Sequence, residues 1–334
     1  MTFPCRNWLI AALTHKPLPP FPEAMEAIGC LVQCASEEGV TLLLEQALAG
    51  HPEFKSIAPD LRQAIEQAAR IELLGQLSML REQQQVFAAL LDAGTPFLVM
   101  KGGALAHWLY PMPHLRLVTD LDLLLPDRDA AMALEPVLAN AGYSMRPMTD
   151  DRLAKEHPFH KPGGPYGTFV VDVHWRLFNS QMFQLGFDYD VLKHESMPLP
   201  NLPGVYGLGS VHALINACGH RALNLPYTYV HGVQRANCLR WLWDIHLLAG
   251  RLDDAQWRTL KHRARDSRVS AILQEALRKV QDELGTVLPA GLLADLDTQA
   301  RSEEMDMSWF SSWPRYQWGQ FLVSDPNWVG RFRW

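Results

Sequence analysis

From Leu61 onward, apolar residues recur every three or four positions: Leu61, Ile65, Ala68, Ile71, Leu74, Leu77 and Leu80 make one stripe. That spacing predicts an amphipathic helix over residues 61–91, and Gly94 and Pro96 supply its stop. Residues 22–92 as a whole read as helical. The period then changes. Residues 97–100 form a short apolar run expected to be a strand, Lys101-Gly102-Gly103 breaks it, and 104–110 reads as a short helix. After the loop PMPHLRLV, residues 119–125 (TDLDLLL) alternate polar and apolar positions, which predicts a strand. A helix is expected over 128–141, ended by Gly142, then strands over 143–147 and 168–177 (TFVVDVHWRL). Between those strands, EHPFHKPGGPYG reads as a turn-rich loop. From Val211 to about residue 300 the pattern is helical again, and the tail beyond carries Trp309, Trp313, Trp318, Trp328 and Trp334, expected to pack back onto the body.

With 334 residues, the chain is long enough for several units. The pattern suggests a helical region (1–95), a mixed α/β core (96–205), a second helical region (206–304) and the Trp-rich tail (305–334). An apolar fraction of 48% and a charged fraction of 20% are those of a globular protein. The net charge of −6 argues against a broad basic surface that tracks nucleic acid, so long nucleic acid is not an expected partner. A nucleotide substrate remains compatible, because metal ions bring positive charge. The basic run at 258–268 reads as a solvated helix face. Cys5, Cys30, Cys34, Cys218 and Cys238 show no zinc or CxxC spacing; buried small hydrophobes in a reducing cytoplasm are expected. The first apolar run is too short to span a membrane and lacks signal-peptide features, so no membrane partner is expected.

The chemistry concentrates in TDLDLLL. Asp120 and Asp122 share one strand face, with Leu121, Leu123 and Leu125 on the other. Like charges at neighbouring same-face positions repel, and a bound cation would offset that cost. Neutralising either aspartate is therefore expected to leave the fold intact or slightly stabilised. On the later strand Val170, Asp172 and His174 share a face. If the two strands are neighbours, three carboxylates converge in a hard-oxygen set suited to Mg²⁺, with Mn²⁺ as the alternative ion. Upstream, Lys101-Gly102-Gly103 lies between strand and helix, where backbone N–H groups hold anions and glycine admits close approach. The plainer readings are a solvated strand edge and a simple turn.

In order, these blocks resemble the nucleotidyltransferase superfamily that contains DNA polymerase β. KGGALAHWLY, RLVTDLDLLLP, VVDVHWRL and RWLWDIHLL are closer still to a bacterial branch, an uncharacterised nucleotidyltransferase-like family, over roughly residues 60–250. The resemblance implies an α+β fold: a small mixed-sheet core flanked by N-terminal and C-terminal helical regions. It implies that Gly102 and Gly103 hold phosphate, with Gly103 where many members have serine. Asp120 and Asp122 correspond to the metal-binding pair, and Asp172 to a third acid that helps hold the metal and accepts a proton. Lys101 is a candidate phosphate cation, Arg116 a candidate phosphate ligand or brace for the acids, and His174 a candidate nucleotide contact or a structural histidine. His157 and His160 fall in the loop near the site. His220, Arg240 and Asp244 match later polar positions, with a helical Arg240–Asp244 ion pair as the alternative. The implied activity is Mg²⁺-dependent transfer of a nucleoside monophosphate from an NTP, ATP being the expected one. The acceptor is a hydroxyl of a small molecule, a peptide or protein, or an RNA end. A non-catalytic nucleotide-binding module with the same fold is the competing reading.

Overall fold

A computed structural model describes residues 4–21, 24–145, 156–178, 186–225, 229–230, 233–234 and 236–303. The Trp-rich tail and the last part of the expected 143–147 strand lie outside the described residues. The chain begins with helices α1 (Cys5–Leu13), α2 (Met25–Glu38), α3 (Thr41–Ala49) and the long α4 (Pro59–Asp92). Gly39, left-handed at φ 68°, ends α2, and Pro59 opens α4 at the position where a missing N–H costs nothing. Among the described residues, no single helix is long and apolar enough to cross a membrane.

α4 keeps one buried face along its length and divides it between two cores. Its first half buries Leu61, Ile65 and Ala69, and its second half buries Met79, Val86, Phe87 and Leu90 against the sheet. Between them Ile71 and Leu74, predicted to be core, are 68% and 71% exposed. The residue buried there instead is Gln76, whose amide grips the backbone of Val118 in both directions: Nε2 donates to the carbonyl at 3.1 Å and Oε1 accepts from the N–H at 2.8 Å.

The sheet follows: β1 (Leu98–Val99), β2 (Leu121–Leu124), β3 (Ser144–Met145), β4 (Glu156–Pro162), β5 (Thr168–His174), β6 (Met197–Pro198) and β7 (Tyr206–Gly207), in the order β3-β4-β5-β2-β1-β7-β6. β2 and β5 run parallel, with Asp122 opposite Asp172; β1 is antiparallel to β2 and parallel to β7. β4 occupies the segment expected to be a loop. Its prolines misled the reading: they carry turn signals, yet Pro158 and Pro162 lie in register with β5, opposite Asp172 and Thr168. Helix α5 (Lys101–Trp108) links β1 to β2, α6 (Arg128–Met132) and α7 (Glu135–Asn140) link β2 to β3, and α8 (Tyr189–His194) precedes β6. The single helix expected over 128–141 is two, because Pro136 cannot continue the hydrogen-bond ladder of α6.

α9 (Ser210–Asn224), α10 (Leu239–Arg251), α11 (Asp254–Asp266), α12 (Ser270–Leu284) and α13 (Leu292–Ala300) complete the described chain. The basic residues of α11 are partly paired, Lys261 with Asp295 and Arg263 with Glu195. The first and last helices share one apolar core, in which Trp8, Leu31 and Leu44 join Leu242, Leu273 and Leu296. Arg6 ties that core across the chain, donating to Glu38 at 2.6 Å, the Asn237 carbonyl at 2.7 Å and Glu283 at 2.9 Å. Cys5, Cys218 and Cys238 are buried as expected, whereas Cys30 is exposed, its Sγ 3.0 Å from that of Cys5.

Candidate active site

The site is built where β1 turns into α5. Met100 is extended and donates its N–H to the Asp122 carbonyl at 3.0 Å. The next residue, Lys101, has φ 48°, a left-handed conformation that side-chain-bearing residues rarely adopt. Lys101, Gly102 and Gly103 are thus the first turn of α5 rather than a break before it, and α5 ends at Trp108 rather than residue 110. The glycines serve different neighbours. A Cβ on Gly102 would stand 2.8 Å from Arg116 Nη1; one on Gly103 would stand 3.0 Å from Leu121 Cδ1 and 3.3 Å from Val99 Cγ1. Gly103 therefore lets α5 lie close on the sheet, and its bare side faces the core rather than a phosphate.

Asp120, just before β2, and Asp122 on it reach the same cavity, and Asp172 lies beside Asp122 in register. Asp122 is 2% exposed. Its Oδ1 accepts from Lys101 Nζ at 2.5 Å and lies 2.9 Å from His174 Nε2. Burial disfavours its charge, but Lys101 and His174 outweigh that and hold its carboxyl well below the usual range. The other two acids go the opposite way. Burial, then the Asp122 charge, raises Asp120, and the same two causes push Asp172 up to about 7. Lys101 and His174 are both raised despite burial, Lys101 by Asp122 and Asp120, and His174 by Glu156 and Asp122.

Several expected roles change. His174 is 2% exposed between Asp122 and Glu156, 3.0 Å from the latter, so it braces the acid rather than meeting a nucleotide. Arg116 is committed elsewhere: Nε donates to both oxygens of Asp244 at 3.1 Å and Nη2 to Oδ2 at 2.6 Å. Tyr110 donates to the same carboxylate at 2.6 Å, so Asp244 is no helical partner of Arg240. This buried tie fastens α10 to the segment before the acids. His157 and His160 lie on β4 instead of a loop, His157 buried with its ring 5.1 Å from that of Trp175. Neutralising Asp122 should not relieve strain, because Lys101 and His174 already neutralise it; the crowding falls on Asp120 and Asp172.

A cavity of about 250 Å³ opens beside the acids, bounded by Lys101, Asp120, Asp122, Asn216, His220 and Arg240. It lies between α5 on one side and α9 and α10 on the other. Residues 25–285 match the model of a family described as uncharacterised nucleotidyltransferase. The protein belongs to that family. No curated protein matches the chain. Sequence reading missed Gln76, a buried amide on α4 that holds the Val118 backbone two residues before Asp120, and Glu156, hidden in the presumed loop. A glutamine on the buried side of a helical stripe was the available signal for the first.

Among the described residues, no three His, Cys, Asp or Glu side chains are gathered closely enough to hold a metal ion as they stand. The donor set nevertheless suits one. Asp120, Asp122 and Asp172 offer only hard oxygens, and burial followed by the Asp122 charge raises the pKa of the other two. The cation now bonded to Asp122 is the ammonium of Lys101.

Proposed function

We propose that the protein transfers a nucleoside monophosphate from an NTP, ATP being the expected donor, to an acceptor hydroxyl and releases pyrophosphate. The reading rests chiefly on one observation: Asp122 and Asp172 stand side by side on parallel strands, with Asp120 on the same face, at the N-terminus of α5. Asp120, Asp122 and Asp172 would hold Mg²⁺, which supplies a Lewis acid for the phosphates and lowers the pKa of the acceptor hydroxyl. Lys101 exchanges Asp122 for the distal phosphates of the nucleotide, aided by the N–H groups at the start of α5. The acceptor oxygen attacks the α-phosphorus as the bond to pyrophosphate breaks, and its proton passes to Asp172, whose carboxyl titrates near 7. His174 and Glu156 keep Asp122 oriented throughout.

The test is incubation of the whole protein with each α-labelled NTP, Mg²⁺ and cell extract, followed by identification of the labelled product. Label from one NTP should appear on an acceptor, and Asp172→Asn should abolish it. A protein that binds NTP yet labels nothing, with no Mg²⁺-coupled gain in affinity by calorimetry, would instead be a non-catalytic nucleotide-binding module.

A further inference from the structure

We propose that the part of the cavity between α5 and α9 receives the nucleoside of the substrate, and that Asn216 contacts its base. This rests on the nucleotidyltransferase reading above and adds where the uncharged end of the nucleotide goes. Charge divides the cavity. Lys101, Asp120, Asp122 and Arg240 lie toward the acids and α10, whereas the α9 wall presents Ala213, Asn216, Ala217 and His220 with no charged side chain. Each of those four positions lies three or four residues from two of the others, so they form one face of the helix. The only arginine within α9, Arg221, is fully buried and held by Glu275 and Asn237.

The α9 wall is shaped for a flat, uncharged ring. Ala213 and Ala217 keep it low, while Leu105 and Trp108 of α5 supply apolar surface opposite. His220 titrates well below its ordinary value, mainly through burial and then the Lys101 charge, so it is neutral at pH 7. Its ring meets Trp241 edge-on, 4.6 Å between centroids. Three donors that line this cavity have no hydrogen-bond partner among the described residues: Asn216 Nδ2, Trp108 Nε1 and, on the charged side, Arg240 Nε. Asn216 is 2% exposed, and with Trp108 it belongs to the uncharged part, where an unpaired buried donor is costly. A nucleobase, with acceptors on its edge, satisfies these two. At about 250 Å³ the space is below the ~300–1,000 Å³ of sites for larger ligands, so the phosphates extend toward Lys101 and the open side.

The experiment uses the full chain and measures dissociation constants for ATP, GTP, CTP, UTP and inorganic tripolyphosphate with Mg²⁺. Two variants test the two features, Asn216→Ala for the amide and Ala217→Leu for the slot. Asn216→Ala should weaken the preferred NTP about five- to tenfold and flatten the ranking of the four, because one neutral hydrogen bond is lost. Ala217→Leu should weaken all four NTPs at least tenfold, and neither variant should alter tripolyphosphate binding. The melting temperature of Asn216→Ala should stay at or above that of the parent, since its amide N–H has no partner among the described residues. If the parent binds NTPs and both variants bind them equally well, the nucleoside lies elsewhere and this assignment fails alone. Unchanged NTP binding with a raised KM for the acceptor would likewise overturn it, giving the slot to the acceptor. If the parent binds no NTP, the assignment and the functional reading fall together.

Discussion

Two buried ion pairs flank the same cavity and are built on opposite terms. Arg116 and Asp244 balance one to one, with Tyr110 donating to the same carboxylate. At the acids, Asp120, Asp122 and Asp172 face one lysine and one shared histidine, and Asp122 takes both. The first arrangement is complete without a ligand. The second leaves Asp120 and Asp172 with carboxyls raised by burial and by the Asp122 charge, which sets it apart from a structural tie.

The largest effect should come from the complete pair. Arg116→Ala strands the Asp244 carboxylate in the interior and should destabilise the fold by about 3–5 kcal/mol in urea unfolding, with no recovery on adding Mg²⁺. Lys101→Ala should cost less, about 1.5–3 kcal/mol, and Mg²⁺ should restore most of it because an outside cation can replace the ammonium. Equal Mg²⁺ responses in the two variants would erase the distinction.

Within the acids the sign should split. Asp122→Asn loses contacts to Lys101 and His174 and should destabilise at pH 7, by on the order of 2 kcal/mol. Asp172→Asn should stabilise. A carboxyl whose folded pKa is about 7, against 3.8 ordinarily, binds its proton more tightly in the native state. The parent therefore loses stability as pH rises from about 4 to about 7, and is level above that. The Asn variant lacks this slope, so its advantage should be absent below about pH 4 and reach about 4 kcal/mol above pH 7. Urea titrations at three pH values without metal decide it; a constant offset would show that Asp172 is not the titrating group. Smallest of all, Gly103→Ala should cost about 1 kcal/mol through crowding of Leu121 and Val99, with tripolyphosphate affinity unchanged.

Elements whose pattern is local were legible. The alternation of TDLDLLL and of TFVVDVH placed the three aspartates on shared faces, and family blocks put the strands together. What stayed hidden depends on contacts distant in sequence. Arg116 meets a partner 128 residues away, so nothing near it distinguishes a tie from a phosphate ligand. His174 shares a face with Asp172, yet its ring reaches Asp122 on the neighbouring strand, which periodicity cannot foresee. In β4, prolines at 158 and 162 carry turn signals, and pairing with β5 along the whole strand overrides them. On α4, the steps of three through Ile71, Leu74 and Leu77 drift off the buried face, on which Gln76 and Gln83 sit instead.

The three-way grip of Arg6 has a consequence for the order in which the chain becomes a protein. Its carboxylate partners are 32 and 277 residues downstream, at Glu38 and Glu283. During synthesis α1 leaves the ribosome long before α12, yet its seat is finished only when α12 has been made. Until then Trp8 and its neighbours have no complete core to enter, so this early-made segment is among the last to settle. A ribosome stalled before residue 283 should therefore display α1 open to protease.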